Sequence, residues 1–159
     1  MKKIFLRKEA RIPFTQSGYD KLLEEKARLF AQRPEAVDHL RKAREMGDLS
    51  ENGYYKASRA QLSFLDARLR RLDRLIKLGT IVASGSGDTV QIGTTVTITD
   101  GKKEYQYSIV GGYESDPSKK TISHISPIGR ALIGKKENEQ ALVHAPSGDV
   151  TYTILRIAA

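Results

Sequence analysis

The chain has 159 residues, 39% of them apolar and 29% charged, and a net charge of +8. It has no cysteine, which excludes disulfides, thiolate metal sites and a cysteine nucleophile. No run approaches the roughly 18 apolar residues of a membrane span, and the apolar stretch near Met1 is too short for a secretory signal. These features predict a cytoplasmic protein with no membrane partner.

The charge is unevenly divided. Residues 1–79 hold 19 Lys/Arg against 11 Asp/Glu, whereas residues 80–159 hold 8 of each. All the net positive charge therefore lies in the first half. That pattern fits a polyanionic partner or an acidic channel, and it also fits the solvated flanks of a coiled coil.

In chain order, residues 17–46 read as a first helical arm. Leu22, Leu29, Ala36 and Ala43 are seven apart, and Leu23, Phe30 and Val37 form an adjacent apolar column. The alanines predict a close approach of two helices near Met46. Pro34 lacks an N–H and clashes with the preceding turn, so a kink or restart is expected near Arg33. Residues 54–79 form the second arm, with Tyr55, Leu62, Leu69 and Ile76 in one column and Ser58, Leu65 and Leu72 in the other. The alternating three- and four-residue spacing is a heptad seam, ending at Gly79.

Only Gly47 to about Asn52 separates the arms, so they must be antiparallel neighbours. An arm of about 26 residues is roughly 39 Å long. Ser84-Gly85-Ser86-Gly87-Asp88 then reads as a connection. Strand-like runs follow at Thr94–Thr99, Tyr105–Val110, Thr121–Ile125, Gln140–Ala145 and Val150–Ile157. Asp100-Gly101 and Pro146–Asp149 are turn sequences, and Pro127 can open a short helix over Ile128–Ile133. The expected fold is α+β. An N-terminal antiparallel two-helix coiled coil fills residues 1–79, with its tip at about 47–52. A small antiparallel β domain with a short helix fills residues 80–159.

The tip, Arg44-Glu45-Met46-Gly47-Asp48-Leu49-Ser50-Glu51-Asn52, carries two carboxylates three residues apart. Asp48 and Glu51 can share a Mg²⁺ whose other ligands come from waters or a partner. They also match a helix-capping box, with Asp48 as cap and Glu51 three residues on. Arg44 and Arg59 flank the loop on opposite arms and can hold a phosphate backbone, or be plain solvated charges. Arg68, Arg70, Arg71, Arg74 and Lys77 read as coiled-coil surface. His39, His124 and His144 lack ligand spacing.

These residues resemble a known family, the bacterial Gre transcript-cleavage factors, GreA more than GreB. The resemblance rests on the run from Ala43 to Asn52 with Tyr55 and Gln61, on Ile125-Ser126-Pro127-Ile128-Gly129-Arg130-Ala131-Leu132-Ile133-Gly134-Lys135-Lys136, and more weakly on Gly18-Tyr19-Asp20-Lys21-Leu22. It runs from about Ile12 to Ile157. It implies that the coiled coil enters the secondary channel of bacterial RNA polymerase. Asp48 and Glu51 would then hold Mg²⁺ jointly with the polymerase, for hydrolysis at the backtracked RNA 3′ end. Arg44 and Arg59 would contact that RNA, and Gly47, Ser50, Asn52 and Tyr55 would support the tip. The C-terminal domain would be FKBP-like and dock on the polymerase through Ser126, Pro127, Ile128 and Arg130. The resemblance implies an accessory to the polymerase rather than an enzyme by itself, with no small-molecule substrate. Gly53 and Tyr54 stand where the family usually has Ala and Glu, and about eleven basic-rich residues precede the family's usual start. Two other readings stay open: a channel-binding regulator that does not promote cleavage, and a folding helper.

Overall fold

The computed structural model describes residues 11–47, 51–83, 88–146 and 148–159. Two long helices dominate the first half: α1 (Gln16–Glu45) and α2 (Gly53–Leu78). Thr15 starts α1 as an N-cap, its hydroxyl accepting from the Gly18 N–H at 3.0 Å.

The α2 seam follows the heptads. Ser58, Leu65, Leu69 and Leu72 are buried, together with Leu75, and Tyr55, Leu62 and Ile76 are half-buried. Ala36 packs with Leu29 against Leu62, Leu65 and Leu69. Ala43 is fully buried as well, so the small residues of α1 let the arms close up as expected. Three ion pairs join the arms: Glu25–Arg68 at 2.7 Å, Arg33–Asp66 at 2.8 Å and Lys26–Asp73 at 2.7 Å. They pin the antiparallel register.

Two expectations for α1 do not hold. Leu23, Phe30 and Val37 are not in the seam; they are 43%, 67% and 40% exposed. The column of Leu22, Leu29, Ala36 and Ala43 already fills the inward stripe, and each next residue is turned about 100° away from it. Nor does the helix restart at Pro34, which sits inside an unbroken α1. Pro34 is on the exposed side, where the Phe30 carbonyl that loses its partner can bond to water instead.

Residues 20–78 form one compact unit, and Gly79–Ala159 form a second. Arg11–Tyr19, assigned to the hairpin domain from sequence, cluster with this second unit. There β1 (Ile12–Phe14) pairs in parallel with β2 (Gly79–Ile81). Phe14 is fully buried, its ring centroid 6.2 Å from that of Tyr19 and 6.4 Å from that of Tyr113. The Glu114 carboxylate accepts from the Thr15 N–H at 2.9 Å, the Gly111 N–H at 3.2 Å and the Thr15 hydroxyl.

The rest of this unit is a five-stranded sheet of β3 (Thr95–Thr99), β4 (Glu104–Val110), β5 (Thr121–Ser123), β6 (Gln140–Ala145) and β7 (Gly148–Ala158), in the order β5-β4-β3-β7-β6. Its pairs are antiparallel except β4–β5, which is parallel. The Asp100 turn forms as expected, its carboxylate accepting from the N–H groups of Lys102 and Lys103. The apolar alternation of β3 and β7 builds the core: Val96, Ile98, Ile154 and Ile157 meet Val90, Ile109, Ala141 and Leu132. Leu132 comes from α3 (Pro127–Leu132), the one helix packed on this core among the described residues.

Candidate functional site

The tip is organised by Asn52. α2 begins at Gly53, and the Asn52 side-chain oxygen accepts from the Tyr55 N–H at 2.9 Å. Asn52 is thus the N-cap of α2. Its amide nitrogen donates across to the Ala43 carbonyl at 2.8 Å and toward that of Gly47 at 3.5 Å. One side chain therefore caps α2 and ties it to the end of α1. Gly47 follows the last turn of α1 with φ +75, a left-handed conformation that glycine adopts without strain and that commonly ends helices.

This arrangement corrects the capping-box reading. Glu51 lies in a turn before the cap, not at the third residue of a helix. It is exposed and makes no ion pair with any described residue. Asp48 and Ser50 lie outside the described residues. Among the described residues no three His, Cys, Asp or Glu side chains gather as a metal site. An exposed carboxylate not used for capping is the donor type that suits Mg²⁺ when a partner completes the octahedron.

The structure brings Arg44 and Arg59 together. They line a groove of about 320 Å³ on one side of the hairpin, with Leu40, Leu62, Ser63, Asp66 and Arg70. Arg59, Ser63, Asp66 and Arg70 recur at four- and three-residue spacing, one stripe of α2. The acid in this groove is neutralised locally: the hydrogen bond from Arg33, with the charges of Arg33 and Arg70, holds the Asp66 carboxyl below its usual range. No ion pair joins Arg44, Arg59 or Arg70 to a described residue. Neighbouring cations are committed elsewhere. Arg41 and Lys42 both bind Asp38, whose carboxyl is held down at about 2, chiefly by Lys42 and then Arg41. Arg68 holds Glu25 in a bidentate pair.

On the β unit, Ser126 is the N-cap of α3 and accepts from the Gly129 N–H at 3.0 Å, with Pro127 as first helical residue. A Cβ on Gly129 would sit 2.1 Å from the Ser123 carbonyl oxygen, so this packing requires glycine. Pro127 and Arg130 line a groove of about 330 Å³ with Ala131, Leu142 and His144. Ile128 packs inward against the core, and Ile125 is the exposed apolar neighbour, at 60%. Of the four residues expected to dock, Pro127 and Arg130 thus face this groove, Ser126 caps and Ile128 packs.

Comparison with known proteins follows this geometry. The profile of the family described as "Transcription elongation factor, N-terminal" matches residues 12–81, and that of "Transcription elongation factor, GreA/GreB, C-term" matches residues 85–159. The transcription elongation factor GreA of Nitratidesulfovibrio vulgaris is 39% identical over 151 residues, 92% of this chain and 94% of that protein. GreA of Rhodopseudomonas palustris is 42% identical over 152 residues, 92% and 96% of the two chains. The chain belongs to the GreA/GreB family of transcription elongation factors. A solved structure similar to this Gre factor is GreA factor homologue 1 of Thermus thermophilus, at 22% identity and TM-score 0.45, covering 94% of this chain and 99% of that one. No helix among the described residues is long and apolar enough to cross a membrane.

Sequence reasoning missed several residues of this Gre factor's grooves. Arg68 and Arg70, which the sequence presents alike as coiled-coil surface, differ in the structure: Arg68 is paired with Glu25, and exposed Arg70 lines the groove. Its spacing of eleven from Arg59, three helical turns, is the pattern that could have found it. Leu142 and His144 were obscured because strand alternation shows that two residues share a face, not which face is outside.

Proposed function

We propose that this Gre factor acts in the bacterial cytoplasm by inserting its hairpin tip into the secondary channel of RNA polymerase. There it stimulates hydrolytic cleavage of backtracked RNA. The observation that carries this reading is the Asn52 cap, which frees Glu51 from capping and leaves its carboxylate exposed at the tip. Asp48 and Glu51 together would hold Mg²⁺ with ligands from the polymerase, and the chemistry so supplied would be a water of lowered pKa and stabilised charge on the phosphodiester. Asn52 keeps Glu51 at the end of the rod, and Gly47 lets the chain reverse tightly beside it. Arg44 and Arg59, joined by Arg70, bind the phosphates of the extruded strand, and Arg33 keeps Asp66 from opposing them. Pro127 and Arg130 dock the β unit on the polymerase.

The experiment is a cleavage assay on a backtracked bacterial elongation complex with labelled RNA and Mg²⁺. The intact protein should shorten the transcript. Glu51→Ala should lower the stimulated rate on the order of 10²-fold, as does loss of one electrostatic contact to a developing charge. Equal shortening by wild type, Asp48→Ala and Glu51→Ala would overturn the reading. Tyr54, 43% exposed beside His39 at 6.4 Å between rings, favours a second reading: a regulator that fills the channel with an aromatic tip and promotes no cleavage. Polymerase binding without shortening would select it.

A further inference from the structure

Glu114 holds the start of α1. Its carboxylate accepts from the Thr15 N–H at 2.9 Å, the Gly111 N–H at 3.2 Å and the Thr15 hydroxyl, bridging residues 99 positions apart. Thr15 is itself the N-cap of α1, through the bond from the Gly18 N–H at 3.0 Å. The carboxylate therefore grips the residue that sets where the helix begins. Next to it, Phe14 is fully buried and its carbonyl accepts from the Val82 N–H at 2.9 Å.

Two glycines make room for this grip. Gly18 is the third residue of α1, a place where alanine is the better helix former. Its φ lies outside the left-handed region, so conformation does not call for glycine there. Space does: a Cβ on Gly18 would sit 1.8 Å from Glu114 Oε2. Likewise a Cβ on Gly111 would meet Glu114 Oε1 at 2.6 Å and the Pro13 carbonyl oxygen at 2.3 Å. At Gly18 the obstacle is the end of a movable side chain, so an added methyl displaces the carboxylate rather than the backbone.

Residues 11–19 cluster with the β unit and residues 20–78 form the hairpin unit, yet α1 runs unbroken from Gln16 to Glu45. One helix thus passes from the unit proposed to dock into the unit that carries the tip. We infer that Glu114 is a positioning residue for transcript cleavage: by fastening Thr15 and the turn at Gly18, it fixes where α1 leaves the β unit, so that a docked β unit holds the tip in place. This rests on the cleavage-factor reading. Glu114 acts through α1, not on the RNA.

The test measures stimulated cleavage of a backtracked elongation complex against factor concentration. Glu114→Ala removes the grip, and Gly18→Ala pushes it aside from the helix. Each should lower the saturating rate by about 10²-fold, the scale for a misplacement of about 1 Å, with an unshifted half-saturating concentration. In both free variants the Thr15 N–H should lose its protection from hydrogen exchange. The double variant should fall no further than either single one, since both act on one contact. Helix content of Gly18→Ala should equal or exceed that of wild type, which separates misplacement from unfolding. Glu114→Gln, whose amide can serve the same three partners, should stay near wild type. Alanine variants that match wild type at every concentration would overturn the positioning role alone. So would a loss that excess factor restores, which is weaker docking or less folded protein. A wild type that shortens no transcript would sink the cleavage reading, and this role with it.

Discussion

The hairpin and the β unit are stabilised in different ways, and the difference explains where each can carry function. In the β unit eight buried residues form one core under α3. In the hairpin the buried cluster is Ala36, Leu65 and Leu69, with ion pairs spanning the arms. A two-helix rod has little interior, so most of its side chains are surface and available for ligands. The β unit uses much of its sheet for packing and leaves a groove at Pro127, Arg130, Leu142 and His144.

The sharpest way to break this contrast is core deletion. Leu132→Ala empties a fully buried site and should destabilise the β unit by about 2–5 kcal/mol. Chemical denaturation followed by tyrosine fluorescence checks it, since Tyr105, Tyr107 and Tyr152 pack on that core. A loss no larger than that for an exposed hairpin residue such as Phe64 would erase the distinction. At the tip, Asn52→Ala removes the cap of α2 and its bond to Ala43. It should cost about 0.5–2 kcal/mol and lower cleavage through a frayed tip, whereas Asn52→Asp should keep the cap and lose only the bond to Ala43. Hydrogen exchange at the Tyr55 N–H would read the cap directly.

Smaller effects belong to the charges. The Asp38 carboxyl is held at about 2, and those of Glu25 and Asp66 lie below their usual range, each through its Arg or Lys partner. Depressed carboxylates stabilise the folded state above their unfolded pKa and lose that contribution as pH falls through the folded values. Helical content should therefore decline as pH drops from about 4 toward the value for Asp38, and high salt should weaken the same pairs at neutral pH. A helical signal flat across that window would show that the arms do not need their ion pairs.

The sequence made the α2 seam legible because its apolar residues recur in two heptad columns that only one helix face can satisfy. The seam on α1 was half legible: Leu23, Phe30 and Val37 repeat every seven residues as faithfully as Leu22, Leu29 and Ala36. Spacing gives a period but not its phase. β1 and β2 escaped detection because three-residue strands carry no alternation; they exist by pairing residues 67 positions apart. The tip contained two overlapping capping frames, Asp48 with Glu51 and Asn52 with Tyr55, and only the observed start of α2 at Gly53 chooses between them. Membership of the Gre family was readable from the tip run and the Ser126–Lys136 block. The arginine stripe down to Arg70 was not, because its partner column lies on the other arm.

The central claim is that the tip carboxylate completes a metal site in the polymerase, and a Mg²⁺ titration of stimulated cleavage tests it most directly. For the Glu51→Gln protein, which keeps shape and loses charge, the half-saturating Mg²⁺ concentration should rise about 10-fold or more, the usual scale for a weakened metal site. Excess Mg²⁺ should then recover part of the rate. A rate reduced equally at every Mg²⁺ concentration, with an unshifted midpoint, would contradict the claim.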